Sequence, residues 1–159
     1  MSAHAFTVVD ADYRRDLASL RAVREPVFVH EQRVPIELEW DDLDPLSEHV
    51  LALDAAGLAV GTGRLTPARK IGRMAVLPDW RGRGVGAALL VRLVERARRL
   101  GYDEVALHAQ VDAIGFYARH GFVAYGDRFQ EAGIEHQSMR LRLADDGAAD
   151  PGPDRAGPG

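Results

Sequence analysis

Residues 81–86 read RGRGVG, and the run AALLVRLVERARRLGY comes directly after them. Glycine loses more backbone entropy on folding than any other residue, so three in six positions mark a backbone bent in ways other residues resist. The run after this turn reads as a helix. Val85, Leu89, Leu93, Val94, Ala97 and Leu100 recur at helical spacing, and Gly101 stands where a helix C-terminus favours glycine. The stretch before the turn, IGRMAV (71–76), and the stretch after the helix, EVALHAQ (104–110), are both strand-like. Strand, glycine turn, helix and strand in that order predict a right-handed crossover between two parallel strands. A chain built round such a unit belongs to the α/β class.

The flanking segments add antiparallel strands and so predict a mixed sheet. AFTVVDA (5–11) reads as a first strand, and Asp12 can cap a helix beginning at Tyr13, with Leu17, Leu20 and Val23 along one side. Pro26 is expected to interrupt or restart that helix, with PVFVHEQ adding another turn. Residues 31–48 form an irregular acidic segment: Glu31, Glu37, Glu39, Asp41, Asp42, Asp44 and Glu48 against Arg33 alone. HVLALD and LAVGTGRL form a hairpin around AAG. AIGFYARH (113–120) is a short helix that Gly121 stops. FVAYG and QSMRLRL close the domain as strands, the latter alternating Met139, Leu141 and Leu143 with Ser138, Arg140 and Arg142. One domain is expected over residues 1–144. The remaining 145–159, DDGAADPGPDRAGPG, contains no large apolar residue and reads as a disordered tail.

Composition removes several classes of function. A net charge of −4 supplies no global basic field for nucleic acid or an anionic membrane, so any anion site must be local. The absence of cysteine excludes disulfides, thiolate metal sites and a Cys nucleophile, and the six His lack paired-ligand spacing, so no metal is expected. No signal-like or membrane-spanning run is seen, which makes a cytoplasmic location the expectation.

A helix N-terminus presents unpaired N–H groups and the positive end of the helix dipole, so glycines ahead of it suit a phosphate or pyrophosphate. Arg81 and Arg83 add charge there. A P-loop is excluded, because no Lys-Ser or Lys-Thr comes after the glycines. The dinucleotide pattern is formally matched by Gly82, Gly84 and Ala87. Against it, LPDW separates strand from turn, the next strand ends LHAQ without a ribose-binding carboxylate, and too little chain remains for a doubly wound domain. A plain surface turn opening a helix is the unadorned alternative.

The stretch MAVLPDWRGRGVGAALL also resembles the acyl-CoA-binding motif of the GNAT superfamily of acetyl-CoA-dependent N-acetyltransferases, an R/Q-x-x-G-x-G/A turn between strand and helix. Arg81, Gly84 and Gly86 match its marked positions. A second family motif, N-x-x-A-x-x-x-Y-x-x-x-G-F, is matched in QVDAIGFYARHGF by Ala113, Tyr117, Gly121 and Phe122, with Gln110 where Asn is commoner. FVHEQRVPIELEWDDLD and FQEAGIEHQSM further resemble the ElaA/YjcF-type branch, so the likeness covers most of residues 20–143. It implies a mixed, mostly antiparallel central sheet with one parallel strand pair and helices on both faces. It also implies acetyl-CoA as co-substrate, a small-molecule amine as acceptor, and a monomer or homodimer.

By the same resemblance, the amides of Arg81, Gly82, Arg83, Gly84, Val85, Gly86 and Ala87 hold the coenzyme A pyrophosphate, and Gln110 belongs to the same cofactor set. Met74, Ala75 and Val76 pair with the pantetheine arm, and an N–H near Val76 steadies the thioester oxygen. Tyr117 is the implied general acid for the thiolate, with aromatic packing beside Phe116 and Phe122 as its other reading. The base stays open between Glu39, Asp41 and Asp44 in the acidic segment, His108 on the strand entering the Tyr117 helix, and a water relay. The acids can equally be a solvated loop, although Ile36, Leu38 and Trp40 interleave with them, and His108 can equally be a satisfied histidine within the sheet. Arg64, Arg73 and Glu31 are the candidates for holding the acceptor; the arginines serve more readily as partners of the acidic segment, yet leave room for an anionic acceptor such as an aminosugar phosphate. Two rival functions stand beside this: a non-catalytic acyl-CoA-binding domain, and an acyl-homoserine-lactone synthase, which normally lacks so complete a glycine turn.

Overall fold

The computed structural model describes residues 5–143, so the tail expected at 145–159 lies outside the described residues. The chain falls into two compact units, one running to Arg96 and the other starting at Ala97.

In the first unit β1 (Phe6–Ala11), β2 (Glu48–Asp54), β3 (Ala59–Leu65) and β4 (Lys70–Val76) pair antiparallel in chain order. Asp12 does cap a turn, since its Oδ1 accepts the N–H groups of Arg14 (3.0 Å) and Arg15 (2.9 Å). These are N-cap bonds, and the Asp16 N–H reaches the Asp12 carbonyl at 2.8 Å, but regular α-helix, α1, spans Leu17–Arg24 rather than starting at Tyr13. Of the two readings at Pro26, the added turn over PVFVHEQ is the one found. Residues Glu25–Glu31 continue the rod of α1 as π-helical turns, and the Gln32 N–H reaches back to the Val27 carbonyl at 2.9 Å. Pro26 lacks the N–H that would bond back along the rod, and the winding changes from α to π at this point. The acidic segment holds a single helical turn, α2 (Ile36–Glu39), and a 3₁₀ turn at Asp44–Leu46.

Leu20, Val23 and Val27 are buried, and Val23 and Val27 cluster with Ala75 of β4, with Phe28, Ala59 and Leu77 packed around them. The helix after the glycine turn, α3, spans Val85–Arg99, and the boundary between the units falls within it. Its N-terminal half lies close on β3 because β3 carries two glycines. A Cβ at Gly61 would stand 2.8 Å from Val85 Cγ1 and 3.0 Å from Leu89 Cδ1. One at Gly63 would stand 2.8 Å from Leu93 Cδ1 and 2.9 Å from Met74 Sδ. Gly61→Ala is expected to cost about 1–3 kcal/mol through overpacking against the stiff valine. Gly63→Ala should cost less, because its neighbours are the ends of flexible side chains. Thermal unfolding of the two variants checks that order.

The β3–β4 register shifts once, so that Gly63 alone faces both Arg73 and Met74. This is a β-bulge, with Arg73 in the left-handed region at φ 49°. The bulge re-aims the Arg73 side chain, whose Nε donates to the Glu39 carbonyl at 3.0 Å and whose Nη2 approaches Asp41 at 3.3 Å.

In the second unit β8 (Ile134–Arg142) pairs antiparallel with β5 (Glu104–Gln110) along its length, and also with β6 (Val123–Ala124) and β7 (Phe129–Glu131). Gly101, at φ 82°, ends α3 with its N–H on the Arg98 carbonyl and the Tyr102 N–H on Ala97, both at 3.0 Å. The short helix α4 spans Ile114–Ala118, inside the expected 113–120, and Gly121 stands after it at φ 92°. The strand read in FVAYG shrinks to Val123–Ala124, while β7 is not foreseen from the sequence. Its hairpin to β8 turns on Ala132 and Gly133, both at positive φ (54° and 78°), and the alanine hides the turn from composition. The class is α/β with a mostly antiparallel sheet, as expected.

Candidate functional site

The glycine turn is open. Gly82 and Gly84 sit in the left-handed region at φ 77° and 84°, and a Cβ on either would meet nothing within 4 Å. Backbone conformation, not crowding, therefore calls for glycine at these two positions. Gly86 lies beyond the turn, in the first turn of α3. The first helical bond there runs from the Ala88 N–H to the Gly84 carbonyl at 3.1 Å. The N–H groups of Val85, Gly86 and Ala87 therefore stand at the helix end with no intrahelical acceptor. The Val85 side chain is buried, which leaves it a backbone role at the turn. Arg83 lies over the Trp80 ring, 5.0 Å from its centroid.

At the end of β4 the Leu77 N–H donates to the Val60 carbonyl at 2.9 Å. The alternation of an antiparallel ladder then turns the Val76 N–H away from β3. Arg81 ties this end of β4 to the π-helical segment. Its Nε donates to the Val76 carbonyl at 2.9 Å, and its two Nη atoms grip Glu31 at 2.9 and 2.7 Å. The hydrogen bond from Arg81 holds the Glu31 carboxyl below its ordinary range. Two residues expected to serve different substrates are thus bonded to each other.

Two acids of the acidic segment, Glu39 and Asp44, are buried, while Glu37 and Asp42 stay exposed to solvent. Arg24, on the buried stripe of α1, is itself 1% exposed and sits between Glu39 (2%) and Asp44 (0%). Its Nε donates to Glu39 Oε2 at 2.6 Å, Nη1 to Asp44 Oδ1 at 2.8 Å and Nη2 to the Glu39 carbonyl at 2.9 Å. The guanidinium also stacks over Trp40, 3.8 Å from the ring centroid. Arg64 Nη1 donates to Asp41 (2.8 Å) and Asp44 (2.9 Å), while its buried Nε has no hydrogen-bond partner. With Arg73, three guanidinium groups meet three carboxylates. Burial alone would raise the Asp44 carboxyl, yet the Arg24 bond, the Asp41 N–H and the charges of Arg24 and Arg64 outweigh it and bring it down to about 2. For Glu39 burial prevails over Arg24 and Arg73, and its carboxyl lies above the ordinary range.

In the second unit Tyr117 lies on α4, half-buried, edge-to-face with Phe116 and Phe122 at centroid distances of 5.0 and 5.9 Å. Burial pushes its phenol up to about 12. Gln110 closes β5, just before the turn that leads into α4. His108 is two positions back on the same strand, with Nδ1 2.9 Å from Glu131 Oε1.

The family model of the acetyltransferase (GNAT) domain matches residues 19–143. The chain belongs to the GNAT acetyltransferase family. YjcF of Bacillus subtilis, named an uncharacterized N-acetyltransferase, is 39% identical over 121 residues, covering 74% of this chain and 86% of its own. Among solved structures, an acyl-CoA N-acyltransferase from Pseudomonas aeruginosa is 32% identical, covers 86% of this chain and 99% of its own, and has a TM-score of 0.76. ElaA of Escherichia coli is 26% identical, covers 87% of this chain and 100% of its own, and has a TM-score of 0.77. These relatives agree with the ElaA/YjcF-type branch. As a GNAT protein the chain is an N-acetyltransferase by family, and acyl-CoA is its donor class.

Within this GNAT chain, sequence reasoning missed Arg24 and Glu131. Arg24 was legible: Leu20, Val23, Arg24 and Val27 share one helical stripe, and an arginine on an apolar stripe demands a buried carboxylate. Glu131 carried no such mark, because β7 itself was not foreseen. A polar pocket of about 320 Å³, with Asp10, Tyr13, Arg15, Glu48 and Arg96 in its lining, shares no residue with the glycine turn or β4. Among the described residues no group of three or more His, Asp or Glu is placed to hold a metal ion, and no helix is long and apolar enough to cross a membrane.

Proposed function

We propose that the protein transfers the acetyl group of acetyl-CoA directly to the primary amine of a small molecule, with both substrates bound together. The observation that carries this reading is the open turn at Gly82 and Gly84, seated between β4 and the N-terminus of a fifteen-residue helix in a GNAT chain. N–H groups at residues 81–87 receive the pyrophosphate, with the helix dipole and Arg83 adding favourable charge. Met74, Ala75 and Val76 offer backbone to the pantetheine arm, and Gln110 completes the cofactor set. The Val76 N–H, turned away from β3, is the donor for the thioester oxygen as it gains charge. Tyr117 gives the departing thiolate its proton. Arg81 acts by holding the turn to Val76 and Glu31, and Glu31 belongs with it.

The acceptor is better read as a plain amine than as an aminosugar phosphate. A phosphate needs cations, and Arg64 and Arg73 already donate to Glu39, Asp41 and Asp44. A panel of primary amines with acetyl-CoA, monitored by release of free thiol, tests activity and acceptor class together. Acetyl-CoA bound without thiol release on any amine would favour a non-catalytic acyl-CoA-binding module.

The turn has its own test. Gly84→Asp places a negative side chain beside the expected pyrophosphate, and acetyl-CoA binding should weaken at least tenfold, about 1.4 kcal/mol. Gly84→Asn tolerates the left-handed backbone equally well without the charge and should bind more tightly than the aspartate. Calorimetry on both folded variants separates repulsion from conformation. Equal, undiminished affinity in the two would remove the turn from the cofactor site.

A further inference from the structure

We propose that His108 and Glu131 form the base that takes the proton from the acceptor's ammonium group. This rests on the acetyl-transfer reading of the site. Most amines reach the enzyme protonated at neutral pH, and a base must be reachable and carry an unused lone pair. The three candidate acids meet that requirement poorly: Glu39 and Asp44 are buried on Arg24, and Asp41 is bonded to Arg64 and Arg73.

His108 has what they lack. Its side chain is 35% exposed, and its Nδ1 lies 2.9 Å from the Glu131 carboxylate. A carboxylate only accepts, so Nδ1 carries the proton and Nε2 carries the lone pair in the neutral ring. The ring is also fixed in place. Phe129 meets it edge-to-face at 4.8 Å, and Phe129 is stacked at 5.9 Å on His136, whose Nδ1–H donates to the Ile134 carbonyl at 2.7 Å. An exposed ion pair by itself contributes little to stability, so this much support points to orientation of the imidazole. Along β5, Val105, Leu107 and Ala109 are buried, while His108 and Gln110 alternate to the other face. The dyad thus shares a strand face with the residue that opens the Tyr117 motif. Other titratable or charged groups on the packed elements are His136 and Arg140 of β8, Asp112 and Tyr117 after β5, and Glu104 on β5 itself.

The proton balance closes. Nε2 takes one proton from R–NH₃⁺, and the freed nitrogen pair attacks the thioester carbon. The C–S bond then breaks with its electrons on sulfur, and the thiolate takes the Tyr117 proton. The amide nitrogen's surplus proton restores the phenol. The imidazolium releases its proton to water, one per acetyl group transferred.

The test uses full-length His108→Gln, Glu131→Gln and Glu131→Asp with acetyl-CoA and whichever of spermidine, 2-phenylethylamine or glucosamine 6-phosphate reacts fastest. His108→Gln should lower kcat roughly 10²-fold, with acetyl-CoA affinity unchanged. Glu131 fixes the tautomer and orientation of the ring, so Glu131→Gln should lower kcat roughly tenfold while the KM for acetyl-CoA stays unchanged. Glu131→Asp should restore most of the lost kcat. Wild-type turnover in a folded His108→Gln protein would overturn the proposal, as would an undiminished kcat in Glu131→Gln. A wild-type enzyme that binds acetyl-CoA but acetylates none of these amines would defeat the acetyl-transfer reading and this proposal with it.

Discussion

Asp44→Asn should destabilise the protein by roughly 3–5 kcal/mol, the range for removing one partner of a buried ion pair. Asp44 is fully buried and accepts from Arg24 and Arg64 at 2.8 and 2.9 Å. The amide keeps the shape but removes the charge, leaving two buried guanidinium groups with only Glu39 and Asp41 between them. The loss travels further than one contact, because Arg24 also holds the Glu39 carbonyl and stacks on Trp40. Denaturant unfolding measures the cost directly. An effect below about 1 kcal/mol, typical of an exposed pair, would show that water reaches the network. The same group sets a pH response. With the folded carboxyl at about 2 against an ordinary 3.8, its stabilisation is full above pH 4 and is lost as pH falls towards 2. Glu39 works in the opposite direction, because its raised carboxyl binds a proton more readily in the folded state. The wild-type loss of stability on acidification should therefore be steeper than that of Asp44→Asn in the window between pH 4 and 2.

Tyr117→Phe should lower kcat by about 10²-fold, the lower end of what general-acid catalysis supplies, since a thiolate is a tolerable leaving group. Burial pushes the phenol up to about 12, so it holds its proton through the whole neutral range. The phenylalanine keeps the edge-to-face contacts with Phe116 and Phe122 and loses only the hydroxyl. The melting temperature and the affinity for acetyl-CoA should therefore stay near the wild-type values. Steady-state kinetics on the best amine, beside calorimetry of acetyl-CoA binding, checks both halves. Undiminished kcat would make Tyr117 a packing residue. A matching fall in acetyl-CoA affinity would make it a binding residue instead.

Short-range patterns in the chain carried much of this. The helical stripe of Val85, Leu89 and Leu93, the alternation of Met139 and Leu143, and the glycine stop at Gly101 all reappear in the structure. Each depends on residues a few positions apart, where helix and strand periods are set by backbone geometry alone. The family too was legible, because the motifs over residues 71–122 keep their residues at set distances along the chain.

Tertiary structure decided the rest, at places where charge or packing meets across long separations. Whether Glu39 and Asp44 are solvated or buried depends on Arg24, fifteen and twenty residues away, and on Arg64 and Arg73 brought in by β3 and the β4 bulge. Gly61 and Gly63 look like weak strand residues until α3 is laid against them. His108 is a strand histidine with several readings until the β7–β8 hairpin delivers Glu131 to its Nδ1. The sequence alone determined the family and the elements other than β7, because local periodicity and motif spacing are written in neighbouring residues. Which acid is spoken for and which histidine has a partner is settled only when the fold closes those distances, since desolvation and pairing act on groups in contact, however far apart they lie in the chain.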